Sequence, residues 1–239
     1  MFANSEIGTI QDIKQIANIC HKKGTIFHTD AVQAFAKIPV NVKKLEIDSL
    51  AISSHKFHGP KGVGVFYLKK GIPIKELIQG GGHEKGLRSG TENISGIVGM
   101  TKAAEIAIKN LKKNYKYMTE LRDKLINELE KIPNTRLNGP RGNKRLPNNV
   151  NMAFSGVEGE ALLMLIDMKG VAASAGSACS NILKGESHKA SHVLEAIHCP
   201  ENIGQLVSLW VNGIFSIQCS YLQMSMASLN LGYGSKHVE

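Results

Sequence analysis

At Gly24 the apolar spacing of this chain changes its period. Before it, Ile13, Ile16, Ala17 and Cys20 recur at the spacing of one helix face within residues 10–23. His21, Lys22 and Lys23 fall in the last turn, where cations suit the helix dipole, and Gly24 supplies a stop. Thr25 to Thr29 then predicts a short buried strand, Ser49 to Ser53 a second and Gly62 to Leu68 a third. Alternating helix and strand limits the fold to an α/β domain with a mainly parallel sheet. A long helical pattern from Ile94 to about Leu129 follows, apolar at Ala103, Ala104, Ile106, Ala107, Ile108 and Leu111, with lysines and glutamates on the other face. It is expected to link two domains, residues 1–110 and 111–239. Pro133, Gly139, Pro140 and Gly142 punctuate the chain beyond it. The second domain is expected to hold a strand at Val150–Phe154, a helix at Gly159–Asp167 and a strand at Val171–Ser174.

Composition narrows the class. The chain has 239 residues, 42 % hydrophobic and 21 % charged, which suits a packed soluble core. Its net charge of +9 fits either attraction to tRNA or an acidic protein, or plain solvated helix faces. The lysines are scattered and no aromatic residues interleave with them, so direct nucleic-acid binding is not expected. Cys20, Cys179, Cys199 and Cys219 form no CxxC pair, which argues against a disulfide scaffold and for a reducing cytoplasm. Polar Asn4, Ser5 and Glu6 follow Met1, so no signal peptide is expected. The most apolar late stretch, Ile203 to Ile217, is broken by Gln205, Asn212 and Gly213 and is shorter than the roughly 20 residues of a membrane span.

The chemistry gathers at strand ends. Asp30 closes one expected strand, and Ser53-Ser54-His55-Lys56 follows the next. Ligands of open α/β sheets collect at the carboxyl ends of the strands. An amine, a carboxylate and small polar donors are together what pyridoxal phosphate needs: a lysine for its aldehyde, an acid for its ring nitrogen, hydroxyls for its phosphate. Lys56, beside His55 and before the glycines of His58-Gly59-Pro60-Lys61-Gly62, is the candidate amine. A lone lysine is more commonly a surface residue. Asp30 either pairs with the ring nitrogen or caps a helix starting near Ala31. Gln33, one helical turn on, reaches the same site and is a candidate for the ring hydroxyl or the lysine link. His28 either orients these groups or packs. Cys179 lies among small residues, Ala173 to Asn181, where a nucleophilic thiolate has access; the alternative is a buried structural thiol. Cys20 is expected in the core, and Cys199 and Cys219 are expected to be packing residues. His28, His55, His58 and His83 lack zinc-ligand spacing, so no metal is expected.

Together these motifs resemble the class V aminotransferase-like, pyridoxal phosphate-dependent cysteine desulfurases, in particular the bacterial group with a long catalytic loop. The runs that carry the resemblance are Asn4-Ser5-Glu6-Ile7-Gly8-Thr9, HTDAVQ at 28–33, SSHKFHGPKGVG at 53–64, GGGHEKGLRSGTEN at 80–93, SAGSACS at 174–180 and Ser191-His192-Val193-Leu194. They span about residues 1 to 200. The resemblance implies part of a fold-type I large domain at 1–110 and a smaller α+β domain at 111–239 carrying the catalytic cysteine loop. It implies Lys56 as the cofactor lysine, Asp30 on the pyridine nitrogen, Gln33 and Asn4 near the ring hydroxyl and substrate, and Ser53 and His55 on the phosphate. Thr91 would reach the phosphate of the other subunit of a homodimer. Cys179 would take sulfur from L-cysteine as a persulfide, leaving alanine, and pass it to an iron–sulfur scaffold or a tRNA-thiolating enzyme. Family members begin well upstream of Asn4, and the missing part supplies strands, another phosphate hydroxyl and a histidine stacked on the ring. Met1 is accordingly expected to be an internal methionine of a longer ancestral chain. After the SHVLEAI stretch the family places an arginine that clamps the substrate carboxylate, but this chain has none after Arg145, and from about Gly204 it diverges as a frameshifted or recombined end would. The expectation is a desulfurase of reduced or no activity on its own, with sheet edges left open to aggregation or a partner. The rival readings are another class V enzyme, such as a selenocysteine lyase or aminotransferase, and a non-catalytic partner-binding fragment.

Overall fold

A computed structural model describes residues 1–157, 159–174, 191–198 and 207–210. The first helix, α1 (Ile13–Lys22), opens where the Asp12 carboxylate accepts from the Gln15 N–H at 3.0 Å. It buries Ile13 and Ala17 and ends at Gly24, whose φ of +66° is the left-handed value that stops a helix. The strand that follows, β1 (His28–Asp30), starts later than the expected Thr25. The Thr25 N–H still bonds back to the Cys20 carbonyl at 2.9 Å, and Ile26 is exposed, so these residues finish the helix turn before the ladder begins.

β1 pairs in parallel with β2 (Ser49–Ser53), and β2 pairs antiparallel with β3 (Gly64–Leu68). The parallel character of this sheet therefore rests on one pair among the described residues. The link from β2 to β3 is a single tight 3₁₀ turn, Ser54–Phe57, and a glycine loop, too short for a crossover. No helix starts at Ala31. The N–H groups of Ala34, Phe35, Lys37 and Ile38 bond back in successive turns, and Ala36 at φ +64° prevents their merging into an α-helix. Phe2, Ala17, Phe27, Ala31, Ile47 and Leu50 form the core between α1, this turn series and the sheet.

A single turn, α2 (His83–Gly86), precedes α3 (Ile94–Leu129), a 36-residue helix capped by the Asn93 side chain on the Gly96 N–H. α3 lies where the sequence puts it. The second sheet is antiparallel throughout: β4 (Thr135–Leu137), β5 (Asn149–Phe154) and β6 (Val207–Trp210) in that order. Ile126 and Leu129 of α3 pack on Val150 and Met152 of β5. α4 (Gly159–Asp167) is as expected, but of the strand expected at Val171–Ser174 only Ser174 forms a β-bridge. The Gly170 and Val171 N–H groups return to the Asp167 and Ile166 carbonyls and so close α4 instead. α5 (His192–Ala196) brings Leu194 against Ile7 and Ala153, which ties the start of the chain to the second sheet. Among the described residues no helix is long and apolar enough to cross a membrane.

Candidate functional site

Register assembles the site. Asp30 lies opposite Ala51 in the parallel pair, so the carboxyl ends of β1 and β2 point the same way, and Ser53 stands two residues further on. The Ala31 N–H donates to the Ala51 carbonyl at 2.9 Å, holding the exit of β1 against β2. Phe2 donates its N–H to the Asp30 carbonyl at 2.7 Å, which lays the start of the chain along the far side of β1. Asp30, Ser53, His55, Lys56 and the Asn4 turn therefore meet at one end of the sheet.

The Asp30 Oδ1 accepts from the Val32 N–H at 2.8 Å, and no bond to its other carboxylate oxygen occurs among the described residues. The cap expected of this acid is thus real, but it closes a turn rather than a helix and uses one oxygen. Ser53 Oγ and His55 Nδ1 are 2.9 Å apart, a hydroxyl–imidazole pair at the start of the 3₁₀ turn. Lys56, on the same turn, is exposed. His58 at φ +68° ends the turn. A Cβ on Gly59 would stand 2.1 Å from Ser54 Oγ, which accounts for the glycine after His58. Ser54 Oγ is itself buried without a hydrogen-bond partner.

Asn4 uses its Oδ1 on the N–H groups of Glu6 and Ile7, at 2.8 and 3.0 Å. Its Nδ2 lies 3.6 Å from the Met1 sulfur. Gln33 accepts at Oε1 from Lys37 Nζ at 2.8 Å, and Lys37 also donates to the Gln33 carbonyl at 3.2 Å. Burial, and then the positive charge of Lys56, push the Lys37 amine down to about 8. Lys37 did not stand out in the sequence; its spacing of four from Gln33 was the available signal. His28 bonds Ser49 Oγ through Nδ1 at 2.8 Å and stacks tilted on Phe66, with ring centroids 6.0 Å apart.

The loop from Gly80 to Thr91 is largely exposed, with His83 and Gly86 half-buried and Ser89 buried; the Ser89 hydroxyl donates to the Gly81 carbonyl at 2.7 Å. Thr91 is exposed just beyond that tie. Cys20 is half-buried against the first core. Cys179, Cys199 and Cys219 lie outside the described residues, as does most of the stretch from 204 onward. No cluster of metal-ligating residues occurs among the described residues.

A pyridoxal phosphate fits this donor set. The free oxygen of Asp30 suits a pyridinium N–H, the exposed Lys56 amine suits an aldehyde, and the Ser53–His55 pair and the unbonded Ser54 hydroxyl offer phosphate donors.

The profile of the aminotransferase class-V family matches residues 1–198. A cysteine desulfurase IscS of Clostridium botulinum is 50 % identical over 202 residues, 84 % of this chain and 50 % of that protein. One from Dictyoglomus turgidum is 52 % identical over 201 residues, with the same coverage of 84 % and 50 %. Among solved structures, a NifS-like protein superposes with a TM-score of 0.81 at 37 % identity, over 96 % of this chain and 60 % of the other. The chain spans about half the length of the curated relatives it matches.

Proposed function

This chain belongs to the aminotransferase class-V family, and we propose that it carries the lysine-bearing part of a pyridoxal phosphate-dependent cysteine desulfurase. In this reading residues 1–110 are the C-terminal portion of the cofactor-binding domain and 111–239 the small domain. What supports it is the meeting of Lys56, Asp30 and the Ser53–His55 pair at the carboxyl end of one parallel strand pair. Bound there, the cofactor supplies an electron sink for bond breaking in an amino-acid substrate. Lys56 holds it covalently, Asp30 pairs with its ring nitrogen, Gln33 and Asn4 attend its ring oxygen, and Ser53 and His55 hold its phosphate. Cys179 takes sulfur from L-cysteine: the carbon–sulfur bond of the substrate breaks and a sulfur–sulfur bond to Cys179 forms. Of the two thiol protons, one ends on the alanine methyl and one on the persulfide.

In this reading the working unit is a homodimer in the cytoplasm, with Thr91, exposed here, available to a second subunit. The persulfide serves an acceptor protein of iron–sulfur cluster assembly or tRNA thiolation. The chain alone, lacking an arginine after Arg145 to bind the substrate carboxylate, turns over slowly or not at all. Incubation with pyridoxal phosphate and borohydride should leave a reduced adduct on Lys56, found by peptide mass and lost in Lys56→Ala. No adduct on the wild-type chain would refute the cofactor assignment. Alanine release from L-cysteine at the rate of a full-length relative would refute the impaired turnover.

A further inference from the structure

Lys37 is left over by the reading above. Its ammonium sits 2.8 Å from Gln33 Oε1 and 3.2 Å from the Gln33 carbonyl, on a half-buried stretch between the first core and Lys56. A lysine ammonium has donors and no acceptor, so the edge of the Gln33 amide turned to it must be the oxygen. The NH₂ edge has no partner among the described residues. A glutamine amide that is free to turn offers either edge to a ligand, whereas this one can offer only donors.

We propose that Lys37 is a positioning residue that fixes the Gln33 amide with its NH₂ toward the cofactor beside Lys56. The proposal rests on the pyridoxal reading of that site. Its chemistry follows from the ring oxygen next to the aldehyde carbon, which accepts hydrogen bonds as a phenolate. A donor there favours the phenolate, and a carbonyl oxygen would oppose it. Phe35, between Gln33 and Lys37, packs edge-on against Phe57, the neighbour of Lys56, with ring centroids 5.0 Å apart, so the segment carrying Gln33 lies beside the turn carrying Lys56.

The test reads the amide directly. In the ¹⁵N-labelled chain without cofactor, the Gln33 side-chain NH₂ pair, identified by its loss in Gln33→Leu, should be shifted away from the solvent-exposed side-chain amides by the cation on its oxygen. Lys37→Met should merge it with the freely turning side-chain amides. Lys37→Arg, another cation with donors only, should restore it, and Lys37→Gln is the near-isosteric neutral variant should the methionine chain fail to fold. With pyridoxal phosphate added, the absorbance band of the Lys56 adduct should move in Lys37→Met or Lys37→Gln and return in Lys37→Arg. A Gln33 pair indifferent to the loss of Lys37, or a band that does not move, overturns the proposal. A wild-type chain that takes up no pyridoxal phosphate overturns the cofactor reading instead, and the resonances alone then decide the role of Lys37.

Discussion

Two charged side chains each make stability rise with pH, in separate windows and for different physical reasons. Asp48 is buried and accepts from the Phe27 N–H at 3.0 Å, from His21 Nε2 at 2.7 Å and from Lys69 Nζ at 3.2 Å. Burial works to raise its carboxyl, but these three donors outweigh it and hold the group below its ordinary 3.8. The folded chain therefore binds that proton less well than the unfolded one. The stabilisation is full above 3.8 and is lost as pH falls through the lower folded value. Asp48→Asn should cost about 2 kcal/mol near neutral pH by urea denaturation, and the cost should shrink in acid. Lys37 has the same sign at alkaline pH, with burial as its first cause. Its amine falls from 10.5 to about 8, so between those values the unfolded chain holds more protons and stability rises with pH. Comparing urea midpoints of wild type and Lys37→Met across that window should show the rise in the wild type only. Of these residues the sequence announced neither, because both depend on neighbours brought in from elsewhere in the chain. Asp30, Ser53, His55 and Lys56 were legible because each closes or follows a strand, and strand ends are where such sheets gather ligands.

At the scale of elements, the turn carrying Asn4 is held by the first residue of β5, itself held by Arg145 from the loop before it. Asn149 donates through Nδ2 to the Ser5 and Glu6 carbonyls, at 3.0 and 2.9 Å, and accepts at Oδ1 from Arg145 at 2.9 Å. Arg145, fully buried, also donates to the carbonyls of Asn149, Asn138 and Pro140. Burial, then the charges of Arg122 and Arg141, push its guanidinium down to about 10. Asn149→Ala strands a buried guanidinium N–H and two carbonyls, at a cost of about 2–3 kcal/mol. It should also speed hydrogen exchange at the Glu6 and Ile7 amides that Asn4 caps, and unchanged exchange there would mean that the turn stands without Asn149. Gly8 lies in the same contact at φ +70°, where a Cβ would come within 2.6 Å of Asn149 Oδ1. α3 could be read from its sequence because a long apolar pattern with lysines and glutamates on the other face repeats at helical spacing. The helix near Ala31 and the strand at Val171 could not. A single left-handed residue, Ala36, breaks the first, and the end of α4 takes the first N–H of the second, at Val171.

For the molecule as a whole, the apolar surface left bare sets behaviour. Ile94 and Val98, one turn apart on α3, are 65 % and 63 % exposed, Ile106 and Ile108 lie open further along, and Phe66 of β3 is 49 % exposed. The edge of β3 away from β2 has no strand partner among the described residues. Exposed apolar side chains on α3 and an open strand edge favour association over a lone chain in water. The chain at rising concentration should therefore sediment as more than a monomer. Val98→Glu puts a charge on that face without touching the packed side of α3, where Met100, Ala107 and Met118 are buried. Its own stability should change by no more than about 0.5 kcal/mol. Its sedimentation should shift toward the monomer while the circular dichroism of α3 is kept. A variant that associates as strongly as the wild type would move the contact off α3, leaving the β3 edge, and Phe66→Lys would then be the substitution that weakens it.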